Sequence, residues 1–197
     1  GFTDVPLFTH WVGIAWRCLI VFLFLSAVGI SLVIAHSKQL NIKKYIKRLM
    51  YLGIAALTVS AGTYIMFRDA WVYFGILHLI WISSVIAISF VNLPKISLFI
   101  AVLILVGSIF NQPSFEFFPK VFDPYLPLGS IDHYPLFPWL SFVFIGIYLG
   151  HYPLYQKVLT FRVNWLEVMG KYALIIYLTH QILLFGIVSL AFYLLTK

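Results

Sequence analysis

The chain of 197 residues is 62% hydrophobic, 19% aromatic and only 10% charged, with a mean hydropathy of +1.00. That balance lies outside the range of soluble globular domains and marks an integral membrane protein. The formal charge of +7 sits in short stretches between apolar runs, which reads as membrane topology and not as a nucleic-acid footprint; the single cysteine, Cys18, leaves neither an intramolecular disulfide nor a multi-cysteine metal site.

A window of about twenty residues finds six apolar segments, at 12–35, 49–66, 71–91, 96–110, 136–150 and 171–195. The expected architecture is an all-α polytopic membrane protein of about six transmembrane helices, forming one domain over residues 1–197. The first segment lacks a basic leader and is too long for a cleavable signal. The chain opens with Gly1 rather than Met, which is compatible with a missing upstream segment.

"FTHWVGIAWRC" leads into the first segment. With a helix starting near His10, His10 and Arg17 lie two turns apart on one face. Arg17 then sits near the outer boundary, where it either snorkels to headgroups or offers hydrogen bonds to a reacting group. An imidazole at a membrane face, as at His10, can take a proton from an incoming nucleophile near neutral pH.

The next linker carries Lys38, Lys43, Lys44, Lys47 and Arg48. Topology and anionic lipid explain this cluster without a ligand; the other reading is that it attracts phosphates of a cytosolic donor. With Lys95, Lys157, Arg162 and Lys171, nine of the thirteen Lys and Arg fall on one side of an alternating chain. The other side holds Asp4, Asp69, Glu116, Asp123 and Asp132, five of the six acids. By the positive-inside rule the basic side is cytoplasmic, which puts both ends of the chain outside.

His78 lies seven residues after Trp71, about 10 Å below the outer surface. It either bonds a neighbouring helix or lines a site. The linker 111–135 holds five prolines (Pro113, Pro119, Pro124, Pro127, Pro135) and many aromatic residues, so it reads as an ordered outer loop able to act as a lid. Within it, Asp132–His133 reads as a solvated turn in preference to an acid–base pair. Asn164 and Glu167 form a capping-box pattern where the last helix is expected to begin.

In "GKYALIIYLTHQILLFG", Tyr177, His180 and Gln181 form one stripe; counted from Lys171 near the cytoplasmic surface, His180 is expected roughly 14 Å deep, close to the midplane. Such groups are unfavourable against lipid, so they either bond a neighbouring helix or line a wet cavity. No Gly-rich phosphate loop, Ser nucleophile motif or metal-spaced cluster is visible, and no metal is expected.

Three stretches in this order, "VPLFTHWVGIAWRCLIVFLFLSAVGISL", "YPLFPWLSFVFIGIYLGH" and "YALIIYLTHQ", with "YFGILHLI" between the first two, resemble the heparan-α-glucosaminide N-acetyltransferase catalytic-domain family, including its bacterial members. The resemblance covers nearly the whole chain. It implies a membrane acyltransferase that takes acetyl groups from cytosolic acetyl-CoA to an amine or hydroxyl of a sugar or glycan acceptor on the far side. A bacterial inner membrane is the implied location, and a homo-oligomer is compatible with it. On that pattern His10 matches the catalytic histidine. His180 and Gln181 match a polar pair lining the cavity, and His78 falls where some relatives have Gln. Tyr177 and Arg17 join these as acceptor-side candidates, and Lys43, Lys44, Lys47 and Arg48 as donor-side candidates. The family's first helix, with an Asp-x-x-Arg-Gly opening, is absent from this chain. The other reading of the same polar stripe is a transporter or carrier pathway, although no internal repeat supports it.

Overall fold

The computed structural model describes residues 11–110, 126–127, 129–152 and 164–195, and among them all regular structure is helical. Seven α-helices follow in order: α1 Trp11–His36, α2 Ile42–Met66, α3 Ile76–Ala87, α4 Pro94–Phe110, α5 Leu136–Gly150, α6 Asn164–Lys171 and α7 Ala173–Leu195. A 3-10 turn, Ile88–Phe90, extends α3. Helices α1 and α2 are long and apolar enough to cross a bilayer, whereas α3 with its extension, α4 and α5 are shorter apolar helices. Among the described residues two helices thus meet the full spanning criteria, and the expected count of six is not confirmed.

The boundaries differ from hydropathy at two places. Helix α2 begins at Ile42, about two turns before the apolar segment, because Asn41 caps it: the Asn41 side chain accepts the Lys44 N–H at 3.0 Å. Its first turns are thus a charged helix and not a linker. Helix α3 begins at Ile76 although the apolar run starts at Trp71. Val72 and Phe74 are buried, so the apolar character of residues 71–75 serves packing of a loop and not a helix. The capping-box pattern at Asn164 starts a separate short helix, α6, which ends at Lys171 before α7.

Helix α5 is the centre of the bundle, packed on α1, α3 and α4, while α2 pairs with α3 and touches α7. Its buried face carries Leu140, Val143, Phe144 and Ile147. It meets α1 through small residues: a Cβ on Gly29 would fall on the Val143 carbonyl, and one on Gly146 would fall on the Ser26 backbone. One on Gly150 would meet Val33 Cβ at 2.9 Å. Paired positions rise together along both helices, so α1 and α5 run parallel. Close backbone approach at small residues is how helices associate where lipid removes the hydrophobic drive. Phe22 packs edge-on against Phe142 at 5.1 Å further along the same seam.

The lipid-facing pattern is the inverse. In α2 only Ala55 and Ala56 are fully buried, and large residues such as Leu57 and Ile65 point outward. Phe99, Val102, Leu103, Val106 and Ile109 make an exposed face on α4. Whole apolar faces left open suit hydrocarbon and not water. Together with the composition, this is a helical membrane protein.

The seam generates a prediction. Gly146→Ala should lower stability by about 1–3 kcal/mol, because the methyl must push the α1 backbone aside. Gly62→Ala and Gly107→Ala, whose Cβ positions meet open space, should hold or gain up to about 1 kcal/mol through lower chain entropy. Unfolding midpoints of the three variants in one detergent check the contrast.

Candidate functional site

The basic residues of the α2 start define one end of the bundle; the loops 67–75 and 129–135 meet at the other. There, Ile131 N–H donates to Ala70 C=O at 3.1 Å, and Tyr134 N–H donates to Phe74 C=O at 3.2 Å. These bonds carry Asp132 to the N-terminus of α3, where the Ile76 N–H donates to Asp132 Oδ2 at 3.3 Å. Gly75, at the N-cap position, has no side chain to do this itself. A Cβ there would press on Asp132 Oδ2 and Val72 Cγ1, both 2.7 Å away, so glycine makes room for the carboxylate. A negative group at a helix N-terminus is favoured by the helix dipole.

Asp132 is only partly exposed and is not a solvated turn residue, as its position in a polar loop suggested. Burial pushes its carboxyl above the ordinary value of 3.8, against the opposing pull of the Ile76 N–H and the charges of His133 and Arg17. Tyr134 beside it is pushed up in turn, first by burial and then by the Asp132 charge. Arg17, from the second turn of α1, acts on both groups. From α7, Tyr177 lies within electrostatic reach of Asp132 and Tyr134. Four elements therefore deliver one cluster: Arg17, Asp132, Tyr134 and Tyr177, with the α3 N-terminus beneath.

His78 supports that N-terminus. Its Nδ1 accepts the Gly75 N–H at 3.3 Å, and its Nε2 lies 3.2 Å from Ser60 Oγ. The Ser60 hydroxyl donates its proton to Val72 C=O at 2.6 Å. His78 Nε2 must then be the donor to Ser60, which fixes the neutral Nε2–H tautomer. Its only free lone pair is already used on Gly75, so His78 in this state clamps α2 to α3 and does not act as a base.

His180 is arranged differently. Its Nδ1–H donates to Tyr177 C=O at 2.6 Å, within its own helix, and its ring lies 5.5 Å from that of Tyr177. The bond sets the tautomer that leaves Nε2 as an acceptor. His180 is partly exposed and adjoins the cluster through Tyr177. His10 lies outside the described residues, as do the Gln181 side chain and residues 111–125 of the expected lid.

Of the candidates read from sequence, His78 bonds the start of α3, Arg17 and Tyr177 lie within electrostatic reach of Asp132, and His180 contacts Tyr177 within α7. Lys43, Lys44, Lys47 and Arg48 lie at the other end of the bundle, Arg48 being about 18 Å from Ser60 along α2. Asp132 and Tyr134 are the residues that sequence reasoning passed over. Among the described residues no group of three or more His, Cys, Asp or Glu is placed to hold a metal ion.

The helices and this cluster define an integral membrane protein whose polar side chains converge at one end of its bundle. A family model described as heparan-alpha-glucosaminide N-acetyltransferase, catalytic, matches residues 1–182, and the chain belongs to that family. No curated protein and no solved structure matches it.

Two measurements check the roles assigned here. His78→Phe leaves the Gly75 N–H without its acceptor, while Ser60 still donates to Val72 C=O; the expected loss is about 1–3 kcal/mol of unfolding free energy, and His78→Gln should recover part of it. For Asp132, the folded chain holds its proton to higher pH than the unfolded chain does. The folded state binds more protons in that window, so this group's contribution to stability falls as pH rises through the raised pKa. The melting temperature of the native chain should therefore rise, relative to Asp132→Asn, as pH is lowered from 7 toward 4; a flat difference would remove the burial argument.

Proposed function

We propose that this chain is a membrane acetyltransferase that moves an acetyl group from acetyl-CoA to an amine or hydroxyl of a sugar-type acceptor on the extracytoplasmic side. On this reading α1–α5 and α7 form a six-segment bundle in a bacterial inner membrane. The basic end faces the cytoplasm and the Asp132 cluster faces out. The observation that supports it is the convergence of Arg17, Asp132 and Tyr134 at the end opposite the basic start of α2, with Tyr177 within electrostatic reach, in a chain of this family.

Acyl transfer needs a base for the acceptor and donors for the oxyanion. His10, directly before α1, is assigned the base; Arg17, two turns into the same stretch, offers N–H groups to the developing oxyanion. The acceptor's nitrogen or oxygen attacks the thioester carbonyl carbon, and the new C–N or C–O bond replaces the C–S bond. The proton taken by His10 goes to the departing thiolate. His180 Nε2 and the Tyr177 hydroxyl, with Gln181, would orient the acceptor, and His78 keeps the α3 N-terminus beneath it in place. Asp132 would attract a cationic amine. Exposed Lys43, Lys44 and Lys47 have the charge that donor phosphates require at the cytoplasmic mouth.

The test is turnover in membranes holding the intact chain, supplied with acetyl-CoA and glucosamine and followed by release of free thiol. His10→Ala should reduce the rate about 10²–10⁴-fold at equal protein level. Native-like turnover in that variant would remove His10 from the chemistry, and no turnover in any preparation with several amines and alcohols would overturn the reading itself.

A further inference from the structure

The basic end holds an arrangement that the transfer reaction does not account for. Arg48 is half-buried where α1, α2 and α3 meet, about 9 Å along α2 from Ile42. Its guanidinium has five N–H donors, and Nη1 makes one hydrogen bond, to Ser31 Oγ at 3.1 Å. No carboxylate among the described residues pairs with it. The groups that face it are equally short of partners. His36, 6% exposed, has a buried Nδ1 with no hydrogen bond among the described residues, and so does the buried Ser84 Oγ. Tyr45 closes the pocket: its ring meets His36 edge-on at 5.4 Å, and its hydroxyl donates to Ser84 C=O at 3.0 Å.

Most hydroxyls of these helices have partners: Thr58, Thr63 and Thr179 each donate to the carbonyl four residues back, and Ser26 and Ser60 donate to Phe142 C=O and Val72 C=O. Among the described residues His36 Nδ1 and Ser84 Oγ, with the neighbouring Ser83 Oγ, are the buried side-chain atoms left without one. A guanidinium withdrawn from water without a counter-ion costs several kcal/mol, and a neutral ligand would leave that cost in place. The missing component is an anion with several acceptor oxygens, to match the remaining Arg48 N–H groups, an Nδ1–H of His36 and the Ser84 hydroxyl. Lys44, one turn before Arg48 on the same helix, is exposed and adds positive charge at the entrance.

We propose that Arg48, His36 and Ser84, walled by Tyr45 and Ser31, form a binding pocket for a phosphate ester at the basic end of the bundle. Two sources carry that chemistry there: the headgroup of an anionic phospholipid, and a phosphate of a soluble nucleotide donor. Only the second rests on the acetyltransferase reading. In either case the phosphate neutralises Arg48 and ties the ends of α1, α2 and α3 together.

The experiment is thermal unfolding of the full chain in an uncharged detergent, without probe and with either adenosine 3′,5′-bisphosphate or phosphatidylglycerol, using phosphatidylcholine as the lipid control. At saturation the correct probe should raise the midpoint by roughly 5 °C. Arg48→Gln should weaken that response about tenfold in probe concentration. Arg48→Lys, which keeps the charge and loses the planar fork, should give an intermediate response and serves if the glutamine variant does not fold. Lys95→Gln, at an exposed position on α4, should change it little. A shift with the bisphosphate alone supports the nucleotide source; a shift with phosphatidylglycerol alone supports the lipid source and leaves acetyl transfer to be judged by turnover. No shift with either probe, or an unchanged shift in Arg48→Gln and Arg48→Lys, overturns the pocket.

Discussion

A helix that starts inside apolar surroundings must find partners for its first amide N–H groups, because water is not there to supply them. Helix α3 is in that position. With its 3-10 extension it spans residues 76–90, about 22 Å, against a hydrocarbon core of about 30 Å. Its N-terminus therefore lies below the level reached by α1 and α2. Much of the far end of the bundle can be traced to this shortfall. Asp132 takes the Ile76 N–H, His78 takes the Gly75 N–H, and the two loops are stitched together to bring the carboxylate there. Two loops stitched over a short helix, with polar groups capping it, bring charge and hydrogen-bonding capacity to this end of the bundle.

The position of these loops depends on the longer helices beneath them. The glycines of α1 and α5 bring those two backbones together, and the parallel seam fixes the height at which Arg17 meets the loop that follows residue 129. On the other flank, Trp81 Nε1–H donates to Leu49 C=O at 3.0 Å, and its ring packs on Gly53, which fixes α2 against α3. Small residues thus decide position, and the polar residues act where that position places them. The two ends then differ in kind. At the far end the partly buried carboxylate has a backbone donor and a nearby cation, whereas at the basic end the guanidinium has one acceptor, Ser31 Oγ, and the His36 Nδ1 has no partner among the described residues.

Much of this order was legible from composition and spacing. The apolar segment 136–150 coincides with α5, and that of 12–35 differs from α1 by one residue at each end, because long uninterrupted runs leave little choice. The contact between Tyr177 and His180 follows from helical spacing. What failed did so for identifiable reasons. Lys43, Lys44, Lys47 and Arg48 lower hydropathy without opposing helix, so α2 was read seven residues short, and the Asn41 cap was the available signal. Residues 71–75 are apolar yet form a loop, since burial and helix formation are separate demands. Asp132 is 56 positions from the N–H group it accepts, and no local pattern marks such a pairing.

The separation of the two polar regions bears on how any donor would be used. If phosphates rest near Arg48 while the acceptor rests near Asp132, the thioester must be carried roughly 18 Å through the bundle by whatever links them. An unbranched arm meets that demand better than a rigid group, because it can thread between helices whose small residues keep the spacing tight. The interior between the levels of Ser84 and His78 is lined by Leu79 and Ile80 of α3, both buried. A slender, mostly apolar arm would cross that stretch without leaving polar atoms unpaired, while its charged end stays behind. Such a division places affinity at one end and chemistry at the other, so a change at Arg48 would act through donor binding and a change at His10 through the transfer step.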